Sequence, residues 1–401
     1  MNLTHEPRKM AFLVLCAGCV AAIVIYGLLT LRSHRAPGSA EAPQPPAAET
    51  AAPSPNVKAP AVSQEHPAAT PMAQPPSGPK SKSTAESGKA AAGPPKAEAK
   101  PALLYFRANA LGENYGKVAV APLNDLGQKR YAADLFCDRV DISGGNGVCL
   151  HADRGGITMY YAIGFNDQMQ RRWSFKLNGL PSRARVSPSG RLAAITIFLV
   201  GQSYTSLNFA TQTMIVNAAT GQVLVDNLET FSVTRNGAEF KAKDFNFWGV
   251  TFAQDENRFY ATLWTAGNTY LVAGDLAQRT AQVIHDNVEC PALSPDNTRI
   301  AFKKRRVGGL LEGRRITWHI TVLDLKTGTE TPLGENRSVD DQVEWLDNDH
   351  ILYALSENEK GSSASTDVWV LPATANGMPE LLLKGGFSPA VVRPSALLAQ
   401  R

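Results

Sequence analysis

Cys137 and Cys149 flank a glycine-rich turn, Gly144 to Gly147, between two predicted strands. In an oxidising compartment such a hairpin-like pair forms a disulfide. Closing a loop of about 13 residues contributes ~3 kcal/mol if the stabilisation is chain entropy. The alternative is that both stay reduced in the core. Cys290 is left odd and is expected to be a buried small apolar residue. The four histidines after residue 101, His151, His285, His319 and His350, have no mutual ligand spacing, so no metal site is expected. A serine hydrolase would need a Gly-x-Ser-x-Gly elbow, and Gly201-Gln202-Ser203-Tyr204-Thr205 fails at the last position. No catalytic residue and no cofactor are therefore assigned. One cationic cluster remains: Lys303, Lys304, Arg305 and Arg306, then Arg314 and Arg315, around the glycine-flanked pair Leu310-Leu311. It reads as a long hairpin with an apolar tip and a cationic stem. Contact with anionic lipid or cell-wall polymer is the functional expectation; a solvated loop is the alternative.

The elements that position these residues repeat. Val186-Ser187-Pro188-Ser189-Gly190 leads into a short apolar strand at 191–198, and Leu293-Ser294-Pro295-Asp296-Asn297 into another at 299–302. Phe252 to Asn257, Trp345 to Asp349 and a degenerate copy at Ile142 to Gly147 do the same. Proline fixes φ early in such a turn, Ser or Asp caps it, and Gly or Asn accepts positive φ. The following strands are short, β-branched and aromatic. Turns about 40–50 residues apart are the spacing of four-stranded propeller blades. One long interval leaves room for an insertion at 201–207 or 229–243. A last turn, Phe387-Ser388-Pro389, lacks the usual strand behind it, and strands at 103–106, 117–121 and 130–136 can complete that blade. The expectation is all-β: a six-bladed β-propeller over 102–401, closed by joining its first and last segments. The tryptophans, Trp173, Trp248, Trp264, Trp318, Trp345 and Trp369, are expected between blades.

The Ser294 to Phe302 and Ser187 to Ala193 patterns resemble the repeats of TolB-like β-propeller proteins. The resemblance covers roughly 102–393 and implies a propeller and an extracytoplasmic setting. TolB itself carries an additional α/β domain before its propeller and is a soluble periplasmic protein; here a Pro/Ala linker and an expected membrane anchor take that place.

Residues 1–9 form a short tail, and 10–31 are 22 residues without charge. At about 1.5 Å per residue that run spans a hydrocarbon core, and it is too long for a signal-peptide core. An uncleaved transmembrane helix is expected. Residues 32–101 are expected to be a disordered Pro/Ala-rich linker, since 18 Ala and 15 Pro among residues 36–101 cannot bury enough apolar surface to offset ordering. The remaining 300 residues carry 30 basic and 30 acidic side chains, so the net +4 belongs to leader and linker. A neutral domain argues against nucleic acid as partner. The sequence thus points to a non-enzymatic binding or scaffold module. It would be single-pass in the cytoplasmic membrane, with its propeller in the periplasm or outside the cell, engaging a protein or cell-envelope polymer. The rival is a carbohydrate- or peptide-acting enzyme using polar residues in the propeller channel.

Overall fold

The computed structural model describes residues 101–199, 209–309, 315–356 and 365–394. The expected transmembrane helix and linker, the candidate insertion at 201–207, the Leu310-Leu311 tip and Arg314 lie outside the described residues.

The first three strands, β1 (Leu103–Ala108), β2 (Lys117–Pro122) and β3 (Arg130–Phe136), belong to one antiparallel sheet. The second sheet is β4 (Arg139–Ser143), β5 (Asn146–Asp153), β6 (Met159–Asn166) and β7 (Arg171–Leu177). The third is β8 (Gly179–Val186), β9 (Leu192–Leu199), β10 (Thr211–Asn217) and β11 (Val223–Val225). A 3-10 turn at Leu228–Thr230 leads to the short strands β12 (Ser232–Arg235) and β13 (Ala238–Glu239). The fourth blade follows with β14 (Asn246–Phe252), β15 (Arg258–Thr265), β16 (Asn268–Asp275) and β17 (Thr280–Asp286). The fifth is β18 (Glu289–Leu293), β19 (Arg299–Val307), β20 (Ile316–Asp324) and β21 (Glu330–Pro332). The sixth is β22 (Glu344–Trp345), β23 (His350–Leu355), β24 (Asp367–Pro372) and β25 (Glu380–Leu383).

The last strand, β26 (Gly386–Val392), returns to the first sheet and pairs with β1, Leu103 opposite Val392. The sheet order β26-β1-β2-β3 makes the C-terminal strand the inner strand of the first blade. The six-bladed propeller expected from the repeats is present, closed through its first and last segments, which leaves only short, protected strand edges. Of the two candidate insertions, 229–243 adds sheet: β12 runs parallel to β17 and extends the fourth blade to six strands.

The turns explain why the blades recur. Gly190 donates to Ser187 O, Glu256 to Ala253 O and Asn297 to Ser294 O, at 2.8, 3.0 and 2.9 Å. These three donors have φ of 76°, 55° and 59°. The hydroxyls of Ser187 and Ser294 accept from Leu192 N and Arg299 N at the head of the next strand, each at 3.0 Å. The core lies between blades rather than under one sheet. One apolar cluster joins Val118, Val120 and Leu135 of the first blade to Ile142, Ile163 and Phe165 of the second. Corresponding clusters fill the other five junctions. Trp248 and Trp345 are buried, and the Trp345 Nε1 donates to Ala292 O of the neighbouring blade at 2.8 Å.

Candidate functional site: the channel and its mouth

The inner strands β26, β4, β8, β14, β18 and β22 surround the axis, and all run towards the face bearing the Ser-Pro-type turns. Counting back from each turn, the residue two positions earlier is Asp141, Arg185, Thr251, Ala292 or Glu344. The residue four positions earlier is Arg139, Arg183, Gly249, Cys290 or Gln342. In β4 and β8 a period of two keeps both residues on one side of the strand. In β14 and β18 a bulge between Trp248 and Thr251 and between Glu289 and Ala292 breaks the alternation, with Gly249 and Cys290 at positive φ within it.

The deeper level is closed by ion pairs. Arg139 meets Asp341 at 2.6 Å and lies 4.4 Å over the Phe387 ring. Lys303 pairs with Asp340, and Arg183 approaches the same carboxylate at 3.8 Å. Burial alone would raise the pKa of Asp340, but Lys303 and Arg183 hold it below the ordinary value. The Arg183 Nε lies 3.3 Å from Cys290 Sγ. Cys290 is fully buried, as expected, but it faces guanidinium rather than a purely apolar wall.

The level nearer the turns opens into a cavity of 270 Å³, lined among others by Asp141, Arg185, Gln254, Glu344 and Arg393. Arg185 pairs with Glu344 and donates to Val343 O at 2.8 Å. Asp141 accepts the Val186 N–H at 2.5 Å, a bond from the second blade to the third. Burial, aided by Glu344 and opposed by Arg185, pushes the Asp141 carboxyl up to about 7. Two carboxyls thus share one buried guanidinium at the bottom of an open mouth. The rim is stitched from blade to blade: Ser143 Oγ donates to Pro188 O at 2.8 Å, and Gln254 Nε2 to Pro295 O at 2.8 Å.

The residues singled out from the sequence fall elsewhere. Cys137 and Cys149 are joined as a disulfide with Cα atoms 5.3 Å apart, beside β4 and outside the channel. The cationic run does not act as one surface. Lys303 is 1% exposed and committed to Asp340 inside the propeller, which corrects its assignment to an anionic-surface contact. Lys304 pairs with Glu330 of the same blade. Arg305 is half-buried, while Arg306 and Arg315 are exposed. The four histidines remain apart: His285 pairs with Glu330 at 2.8 Å, His350 with Asp347 at 3.1 Å, and none lines the mouth. Among the described residues no cluster of three His, Cys, Asp or Glu side chains could hold a metal. The channel charges were missed because each looks unremarkable within its own strand. Aligning the repeats on their turns would have found them.

No protein-family profile and no curated protein matches the sequence. Among solved structures, this chain is similar to TolB propellers. For TolB from Acinetobacter baumannii the identity is 17% and the TM-score 0.48, covering 73% of this chain and 67% of that one. For a putative TolB from Agrobacterium tumefaciens the values are 13% and 0.43, covering 73% and 92%. An oligogalacturonate lyase in complex with manganese is also similar, at 9% identity and a TM-score of 0.41, covering 64% and 72%. The likeness concerns the fold alone.

Proposed function

We propose that this chain is a non-enzymatic binding module that captures a protein segment or cell-envelope polymer at the mouth of its channel. The observation carrying this reading is a blind, polar cavity. Asp141, Arg185 and Glu344 offer donors and acceptors at its base, and the Arg139–Asp341 and Lys303–Asp340 pairs close the channel beneath them. A rigid ring presenting such a concavity suits recognition. In this reading residues 10–31 cross the cytoplasmic membrane, 32–101 act as tether, and the propeller works in the periplasm or outside the cell.

The convergence of Asp141 and Glu344 favours one rival, an enzyme using two carboxyls for acid–base work on a sugar or peptide. Capture from membranes by the full chain distinguishes them. Gln254→Trp fills the mouth from its exposed rim, while Ile157→Trp alters an exposed loop on the opposite face. Binding should be lost with the first, retained with the second, and leave the captured molecule intact. Equal loss in both variants, or turnover of a saccharide or peptide that Asp141→Asn abolishes, would overturn the binding reading.

A further inference from the structure

The two departures from the blade repeat meet in one place. The insertion before the fourth blade supplies Arg235 at the end of β12, and the long hairpin of the fifth blade supplies Arg305 from β19. Both line a cleft of 380 Å³, together with Asn268, Thr269, Tyr270 and Asp286. The cleft is remote from the channel mouth, towards the opposite face.

Its chemistry is cationic. Arg235 lies 4.6 Å over the Tyr270 ring, which orients its guanidinium, and meets Asp286 at 3.3 Å. Arg305 donates one N–H to Gly267 O at 2.6 Å, and its main chain is held by Asn287, which accepts from Arg305 N at 3.2 Å. A guanidinium carries five N–H donors in a planar fork, so most of the Arg305 donors remain available. Asp286 offsets one of the two positive charges, but its side chain is 69% exposed and free to turn to water. Thr269, in the wall of the cleft, is buried with its hydroxyl lacking a hydrogen-bond partner. A buried hydroxyl without a partner is costly.

We propose that this cleft binds a phosphate-type oxyanion, with Arg235 and Arg305 as its two guanidinium ligands. Paired guanidinium forks match the geometry of such oxygens better than ammonium groups do. Of the cationic hairpin this engages Arg305, which shares the cleft with a second arginine. The oxyanion can come from free phosphate or from a phospholipid headgroup.

The test uses the full chain in a neutral detergent, titrated with inorganic phosphate by calorimetry. A second arm measures flotation with vesicles of phosphatidylcholine alone or mixed with phosphatidylglycerol. Arg235→Gln and Arg305→Gln should each weaken binding about tenfold without changing the melting temperature, and Arg306→Gln, outside the cleft, should leave it unchanged. Binding in the phosphate arm with that pattern supports a free oxyanion. Binding only to phosphatidylglycerol vesicles, with the same pattern, supports a headgroup. No binding in either arm, or an equal loss with Arg306→Gln, overturns the proposal.

Discussion

The carboxylate of Glu256 accepts a hydrogen bond from the Ser187 hydroxyl at 2.9 Å, across the junction of the third and fourth blades. The same oxygen accepts from Ser189 N at 2.9 Å, and the other meets Arg191 at 2.8 Å. Glu256 occupies a left-handed turn position that Gly190 and Asn297 fill in sister blades. A long side chain there is explained by what it ties together.

Glu256 should therefore make stability depend on acid pH. Burial tends to raise its pKa, but the bonds from Ser189 and Ser187 and the Arg191 charge outweigh it and hold the carboxyl below 4.5. A folded pKa below the unfolded one gives stabilisation that is full above about pH 4.5 and lost as pH falls through the folded value. Glu256→Gln should cost about 1–3 kcal/mol at neutral pH and flatten the acid limb of melting temperature against pH. An unchanged acid limb would refute this role.

Asp141 has the opposite sign. Its folded pKa, about 7, lies above the ordinary 3.8 because burial disfavours the charge. The native state then holds an extra proton between those values, so stability falls as pH rises from about 4 to 7 and levels off above. The slope is at most about 1.4 kcal/mol per pH unit. Asp141→Asn keeps an acceptor for Val186 N–H and should remove that slope, leaving the variant the more stable form at pH 8. Carboxyl NMR titration of Asp141 near 4 would exclude the effect.

The Cys137–Cys149 link closes a loop of sequence separation 12 at the entrance to the second blade. Peptide mapping without reductant should recover the linked peptides. Replacing both cysteines by alanine should cost about 2–4 kcal/mol. Recovery of free thiols from protein of the oxidising compartment would contradict the assignment.

Turns and strand alternation made the architecture readable: Ser187-Pro188 and Ser294-Pro295 mark blade boundaries whatever surrounds them. Closure was readable too, because Phe387 to Pro389 lacked following strands that residues 103–136 lacked a blade for. The channel was not. Asp141 and Arg185 are brought together by ring curvature over 44 residues of chain, and nothing within either strand names the other as partner. The Glu289-Cys290 bulge and the Glu256 turn position likewise depend on a neighbouring blade.

Gly249 shows how tightly the inner strands approach. Its φ is +62°, and a Cβ there would stand 2.6 Å from Cys290 Cα in the next blade. Backbone on both sides cannot yield as a flexible side chain would. Gly249→Ala combines a left-handed cost of about 1 kcal/mol or more with that clash. It should lower the denaturation midpoint more than Gly237→Ala, where φ is +77° but nothing lies within 4 Å. Equal losses would mean that backbone conformation alone, and not the junction between blades, sets the requirement.

Lys303 and Lys304 are neighbours in sequence and opposites in the fold. Successive side chains of β19 face opposite ways, so the run Lys303 to Arg306 is divided between two surfaces. Lys303 enters the propeller and neutralises Asp340 beside Arg183, with only 1% of its surface exposed. Lys304 meets Glu330 on a partly exposed face. Truncating Lys303 removes a buried charge whose partner Asp340 is half-exposed, and should cost about 3 kcal/mol. Lys304→Ala breaks a solvated pair and should cost less than about 1 kcal/mol. Urea titration of the two single variants decides the matter: comparable midpoints would place both lysines on the surface, and with them the whole cationic run.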